Sequence, residues 1–124
     1  MTTDNKSKAV HFLTLASSGK VDEAFAEFVS PYFKHHNPYF EGSAEALQAA
    51  MKVNAKQNPA KIMEVKRAIA EADFVVTHSH IRQNPNDLGT VVVHIFGFEN
   101  GKIVELWDLG QPIPEKSLNK NGMF

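Results

Sequence analysis

The hydrophobic pattern of this chain changes period once, at Asn58-Pro59, and that change decides the fold class. Ahead of it, apolar residues recur at helical spacing. Ala9, Val10, Phe12, Leu13 and Ala16 predict a first helix from about Ser7 to Ala16, with Ser18-Gly19 as its stop. Val21, Ala24, Phe25, Phe28 and Val29 fit the spacing of a second helix, which Pro31 ends. A third runs from an N-cap at Ser43 to about Gln57, with Leu47, Ala50 and Met51 inward. Between the second and third, residues 32–42 (YFKHHNPYFEG) follow neither period, and Asn37-Pro38 signals a turn. Beyond Pro59 the apolar residues alternate, predicting strands over 61–70, 74–82, 90–98 and 102–110. The residues from Gln111 to Phe124 read as an extended arm. Helices first and antiparallel strands second imply an α+β domain whose helices cover one sheet face. At 124 residues the chain suffices for one domain, 1–124, and one core.

Charge narrows the partners. The formal net charge is −1 with no basic stripe, so neither nucleic acid nor an anionic membrane surface is expected. Cysteine is absent, which removes disulfides, thiolate metal sites and a cysteine nucleophile. The polar start MTTDNKSKAV and the lack of any long apolar run lead to the expectation of a soluble, cytoplasmic protein.

One carboxylate is out of keeping with its surroundings. Asp108 stands between Trp107 and Leu109 in the last strand, NGKIVELWDLGQP. Asn100-Gly101 favours a two-residue type I′ hairpin, which pairs Glu99 with Lys102. Counting outward without a bulge sets Val93 opposite Asp108 and His94 opposite Trp107. Asp108 then shares the helix-covered face with Val93, Ile95, Val104 and Leu106. His94, Phe96, Phe98, Glu105 and Trp107 take the other face, whose aromatic character suits a second copy of the chain in a homodimer. Burial favours the neutral form of a carboxylic acid, and a buried carboxyl can move protons. A strand-end aspartate reaching solvent, or a register slipped by one, would give a different reading.

Other polar residues offer sites. His78 and His80, two apart on a strand, face the same way and could chelate a metal with a third ligand; otherwise His78 points inward as a hydrogen-bonding partner. His35, His36 and Asn37 sit where an aperiodic backbone can aim side chains into a cavity or into solvent. The aromatic residues, among them Phe12, Phe25, Phe28, Phe33, Tyr39 and Phe40, are core or the wall of an apolar pocket. No phosphate-binding glycine loop, dinucleotide fingerprint, G-x-S-x-G elbow or H-E-x-x-H occurs.

Taken together, YFKHHNPYFEG, VVTHSH, VVVHIFGFENGKIVELWDLGQPIPE and the terminal NKNGMF resemble the SnoaL-like polyketide cyclase family, in its aldol-condensation branch. The resemblance runs from about Phe12 to the C-terminus. It implies the cone-shaped fold of nuclear transport factor 2, with three N-terminal helices on a curved, mainly antiparallel sheet around a deep pocket, and homodimers packed sheet to sheet. It implies cofactor-independent acid/base chemistry, of aldol-condensation or isomerisation type, on a small apolar carbonyl compound, with no metal. Asp108 would be the general acid/base and His36 and His78 its catalytic helpers. Asn37, Tyr32, Phe12, Phe28, Phe40, Ile95 and Leu106 would contact the ligand. Many relatives carry histidine where Leu106 stands and arginine where Gly97 stands. Those departures favour the alternative, a ligand-binding module of the same fold without turnover.

Overall fold

The computed structural model describes residues 4–124. Helix α1 (Asn5–Ser17) is capped by Asp4, whose carboxylate accepts from the Ser7 amide, and α2 (Val21–Phe28) follows after Gly19. The chain passes from α2 directly into strand β1 (Val29–His35). Helix α3 (Ala44–Gln57) starts at the expected N-cap, Ser43, whose hydroxyl accepts from the Ala46 amide. Strands β2 (Ile62–Glu71), β3 (Phe74–Arg82), β4 (Thr90–Glu99) and β5 (Lys102–Pro112) complete one five-stranded sheet in the order β1-β5-β4-β3-β2. The sheet is mixed: β1 runs parallel to β5, and every other pairing is antiparallel.

Strand β1 is the element that periodicity hides. Its alternation is real, with Phe33 and His35 buried and Tyr32 and Lys34 exposed. A histidine on the inner side and a tyrosine on the outer side disguise it as a loop. Pro31 is tolerated because β1 is an edge strand.

All three helices lie on one sheet face. Phe12, Leu13, Val21, Phe25 and Phe28 from α1 and α2 meet Val75, Phe96, Phe98, Ile103 and Leu106 from the sheet. Phe12 sits edge-on to Phe25 at 5.5 Å and to Phe96 at 6.1 Å. Core and helix-covered sheet face are therefore one surface.

The β4–β5 hairpin begins as expected and then departs. Asn100 (φ 52°) and Gly101 (φ 75°) form the turn, and Glu99 pairs with Lys102 and Phe98 with Ile103. Gly97, however, pairs with Glu105, so Val104 is an extra residue on β5. From there the register is one off the unbulged count: Phe96 pairs with Leu106, Ile95 with Trp107 and His94 with Asp108. This corrects the expected faces. His94, Phe96 and Phe98 are buried beneath the helices, while Val93 and Ile95 lie on the outer face with Trp107.

Candidate functional site

A cavity of about 250 Å³ opens between α1, α3 and the sheet. Leu13, Ala16, Leu47, Ala50, Met51 and Met63 give it an apolar wall, with Phe40, Ile81 and Val92 at its other sides. Into it come a few polar groups: Asp108, Asn37, His94, Lys61 and Asn54. An apolar wall with few convergent polar groups is the usual composition of a small-molecule site.

Asp108 reaches the cavity because the bulge keeps it on the same face as Ile103 and Leu106. Asn37 is aimed at it by its own backbone. The Asn37 side-chain oxygen accepts from the Tyr39 amide at 2.9 Å, an Asx turn around Pro38. That leaves the amide nitrogen to donate to Asp108 Oδ2 at 3.2 Å. His35, buried two residues before Asn37, steadies the loop. Its Nδ1 accepts from the Asn37 amide, which fixes the tautomer, so Nε2–H donates to the Glu41 carbonyl. The H-N-P segment is thus a device for presenting one amide to one carboxylate.

His94 and Lys61 are the cavity's other titratable groups. His94 is buried, stacked on Phe96, and its Nδ1 has no hydrogen-bond partner. Burial lowers its pKa from 6.5 to about 4, with the Asp108 charge opposing that shift and the Lys61 charge adding to it. His94 is therefore neutral at pH 7. Lys61, just ahead of β2, donates to Asn54 Oδ1 at 2.7 Å, and burial holds its pKa below the usual lysine value.

The sign of the His94 shift gives a stability prediction. The unfolded chain takes up a proton near pH 6.5, while the folded chain resists until about pH 4. Stability should be full above pH 6.5 and fall by roughly 3 kcal/mol on acidification toward pH 4. Urea denaturation of wild type and His94→Asn across that range, at fixed protein concentration, isolates this contribution. Parallel curves would show that His94 does not stay neutral in the fold.

Most of the other expected site residues lie elsewhere. The sequence puts His78 inward, but Thr77 and Ser79 take the inner positions of β3, and His78 and His80 share the outer face. There His78 bonds Arg67, and the two histidine rings pack against Phe124 at 5.5 and 4.9 Å. His36 also points outward, stacked on Trp107 at 4.8 Å and bonded to Glu105. Tyr32 is 87% exposed. Phe12 and Phe28 are core residues, Leu106 is buried beside them, and Ile95 is on the outer face. Phe40 and Asn37 line the cavity. Among the described residues, no three His, Cys, Asp or Glu side chains come together in a metal-holding group. No described helix is long and apolar enough to cross a membrane.

The profile of the SnoaL-like domain matches residues 9–106. The chain belongs to the SnoaL-like domain family. Solved structures agree on the fold of this SnoaL-like protein. A provisionally assigned polyketide cyclase from Bacillus cereus ATCC 10987 is 23% identical, with a TM-score of 0.72 over 84% of this chain and 72% of its own. AclR, a provisionally assigned hydroxylase from Streptomyces galilaeus, is 21% identical, with a TM-score of 0.72 over 86% and 88%. An NTF2-like protein of unknown function from Cytophaga hutchinsonii ATCC 33406 is 16% identical, with a TM-score of 0.70 over 90% and 94%. No curated protein matches the sequence significantly. At these identities the structures establish the NTF2-like α+β fold, as expected from the sequence, and nothing finer. The family match ends two residues before Asp108.

Proposed function

We propose that this SnoaL-like protein is a cofactor-independent acid/base catalyst acting on a small carbonyl compound bound in the cavity. The observation that carries the reading is the Asp108 carboxylate, held by Asn37 in an otherwise largely apolar chamber. Asp108 takes a proton from the carbon beside a carbonyl, leaving an enolate. The enolate carbon attacks a second carbonyl in an aldol step or is reprotonated at another carbon, and the proton returns from Asp108. A cavity of about 250 Å³ favours a compound of one or two rings, since pockets for drug-sized ligands start at about 300 Å³. The test is α-proton exchange of small cyclic and aryl ketones in D₂O, followed by NMR. Exchange above the buffer rate is expected. The apolar wall favours a second reading, a binding module without turnover. Ketones that bind with no exchange would establish that module instead.

We also propose a homodimer through the outer sheet face. Ile69, Val76, Ile95 and Trp107 are successive cross-strand neighbours from β2 to β5, one apolar row across that face. Leu109 and Phe74, 59% and 49% exposed, add to it. A row of this kind supports association with a second copy. Sedimentation at micromolar concentration should give about twice 13.8 kDa. Trp107→Glu should weaken the dimer by about 100-fold while ligand binding persists. A strict monomer in the wild type would end this proposal.

A further inference from the structure

Lys61 differs from the ion-paired lysines of the chain. Lys34, Lys52 and Lys66 lie beside carboxylates on the surface, at 3.9, 3.0 and 3.0 Å. Lys61 is half-buried, lines the cavity and makes no ion pair among the described residues. Its bonded acceptor is the neutral side-chain oxygen of Asn54. An ammonium carries three donors, and a buried cation without a counterion is unfavourable. Asn54 lies in the last turn of α3, where the helix dipole favours positive charge. That explains how the cation is tolerated there, but not why its side chain lines the cavity.

The charge balance of the chamber supplies a reason. With a neutral ligand, the cavity holds one anion, Asp108, and one cation, Lys61, while His94 between their influences is neutral. Proton transfer to Asp108 makes that carboxyl neutral and moves the negative charge onto the ligand's carbonyl oxygen. The total charge is unchanged, and the anion now needs a donor in a medium of low dielectric.

We infer that Lys61 is the oxyanion donor of this cavity, and that the cavity selects small ligands able to carry negative charge on a carbonyl or phenolic oxygen. This rests on the reading of the cavity as the reacting site. Such ligands are enolisable ketones and acidic phenols, the latter binding as phenolates after giving their proton to Asp108 or solvent. The depressed Lys61 pKa agrees, because an anion placed beside the ammonium restores the interaction that burial removed.

The test uses 4-nitrophenol and its uncharged counterpart nitrobenzene, in buffer acidic enough to keep most free nitrophenol protonated. On the wild type, nitrophenol should bind with growth of the phenolate absorption band, and at least about 10-fold tighter than nitrobenzene. Lys61→Met should abolish the band and weaken nitrophenol by roughly 10- to 100-fold, with nitrobenzene changed less than about twofold. Lys61→Arg should keep the band, and thermal melts of all variants check folding, with Lys61→Gln as a second neutral variant. A band that survives in both neutral variants, or equal affinity of the wild type for the two probes, would reduce Lys61 to a partner of the α3 terminus. Failure of nitrophenol to bind the wild type overturns the inference as well. The two readings fail separately. Asp108-dependent exchange without a phenolate band removes only the role of Lys61, and a Lys61-dependent band without ketone exchange removes only the proton transfer.

Discussion

Asp108→Asn should lower ketone α-proton exchange by about 10²- to 10⁴-fold, the usual contribution of a positioned general base. The substitution preserves shape. Its carbonyl oxygen can accept the Asn37 bond that Asp108 Oδ2 accepts at 3.2 Å, so the loop around Pro38 keeps its anchor. What is lost is the site for the proton. Fold and ligand affinity should stay near wild type, with melting and titration as controls and NMR exchange as the decisive measurement. Wild-type exchange in the variant would make Asp108 a structural residue and return the proton-transfer role to another group.

Phe96→Ala should destabilise the protein by about 3–5 kcal/mol, a large part of the roughly 5–15 kcal/mol available to a domain of this kind. Phe96 is fully buried at the sheet centre, between Val75 on β3 and Leu106 on β5. Its ring meets Phe12 of α1 edge-on and stacks on His94. Truncation therefore opens a void at the joint between helices, sheet and cavity wall. Urea denaturation at fixed protein concentration measures the effect, and Phe96→Leu should cost less. A loss below about 1.5 kcal/mol would mean that neighbouring side chains collapse into the space.

Most of the architecture was legible because it rests on periodic burial. The three helices and four of the five strands follow from apolar spacing, and Ser43 and Asn100-Gly101 mark a helix start and a turn by local chemistry alone. Strand β1 was not legible, since its inner positions include His35 and its pairing to β5 is long-range and parallel. Within the cavity, Asp108, Asn37 and Phe40 were legible from the motif that carries them. Lys61 and Asn54 were not, because one polar residue at a strand start and one near a helix end are ordinary on a surface. A register count without a bulge puts His94 on the wrong face. The same freedom of register, this time between β3 and β4, lets the sequence put His78 inward.

The Val104 bulge also bears on how positions in this chain can be matched to positions in another. Distance from the Asn100-Gly101 turn gives corresponding places on β4 and β5 only as far as Ile103; beyond it, one strand is a residue ahead. Two chains that align without a gap through this hairpin can therefore differ in which residue faces Asp108, if only one of them is bulged. Transfer of a functional position along β5 requires the pairing itself, because identity of letters at equal spacing does not fix the neighbour.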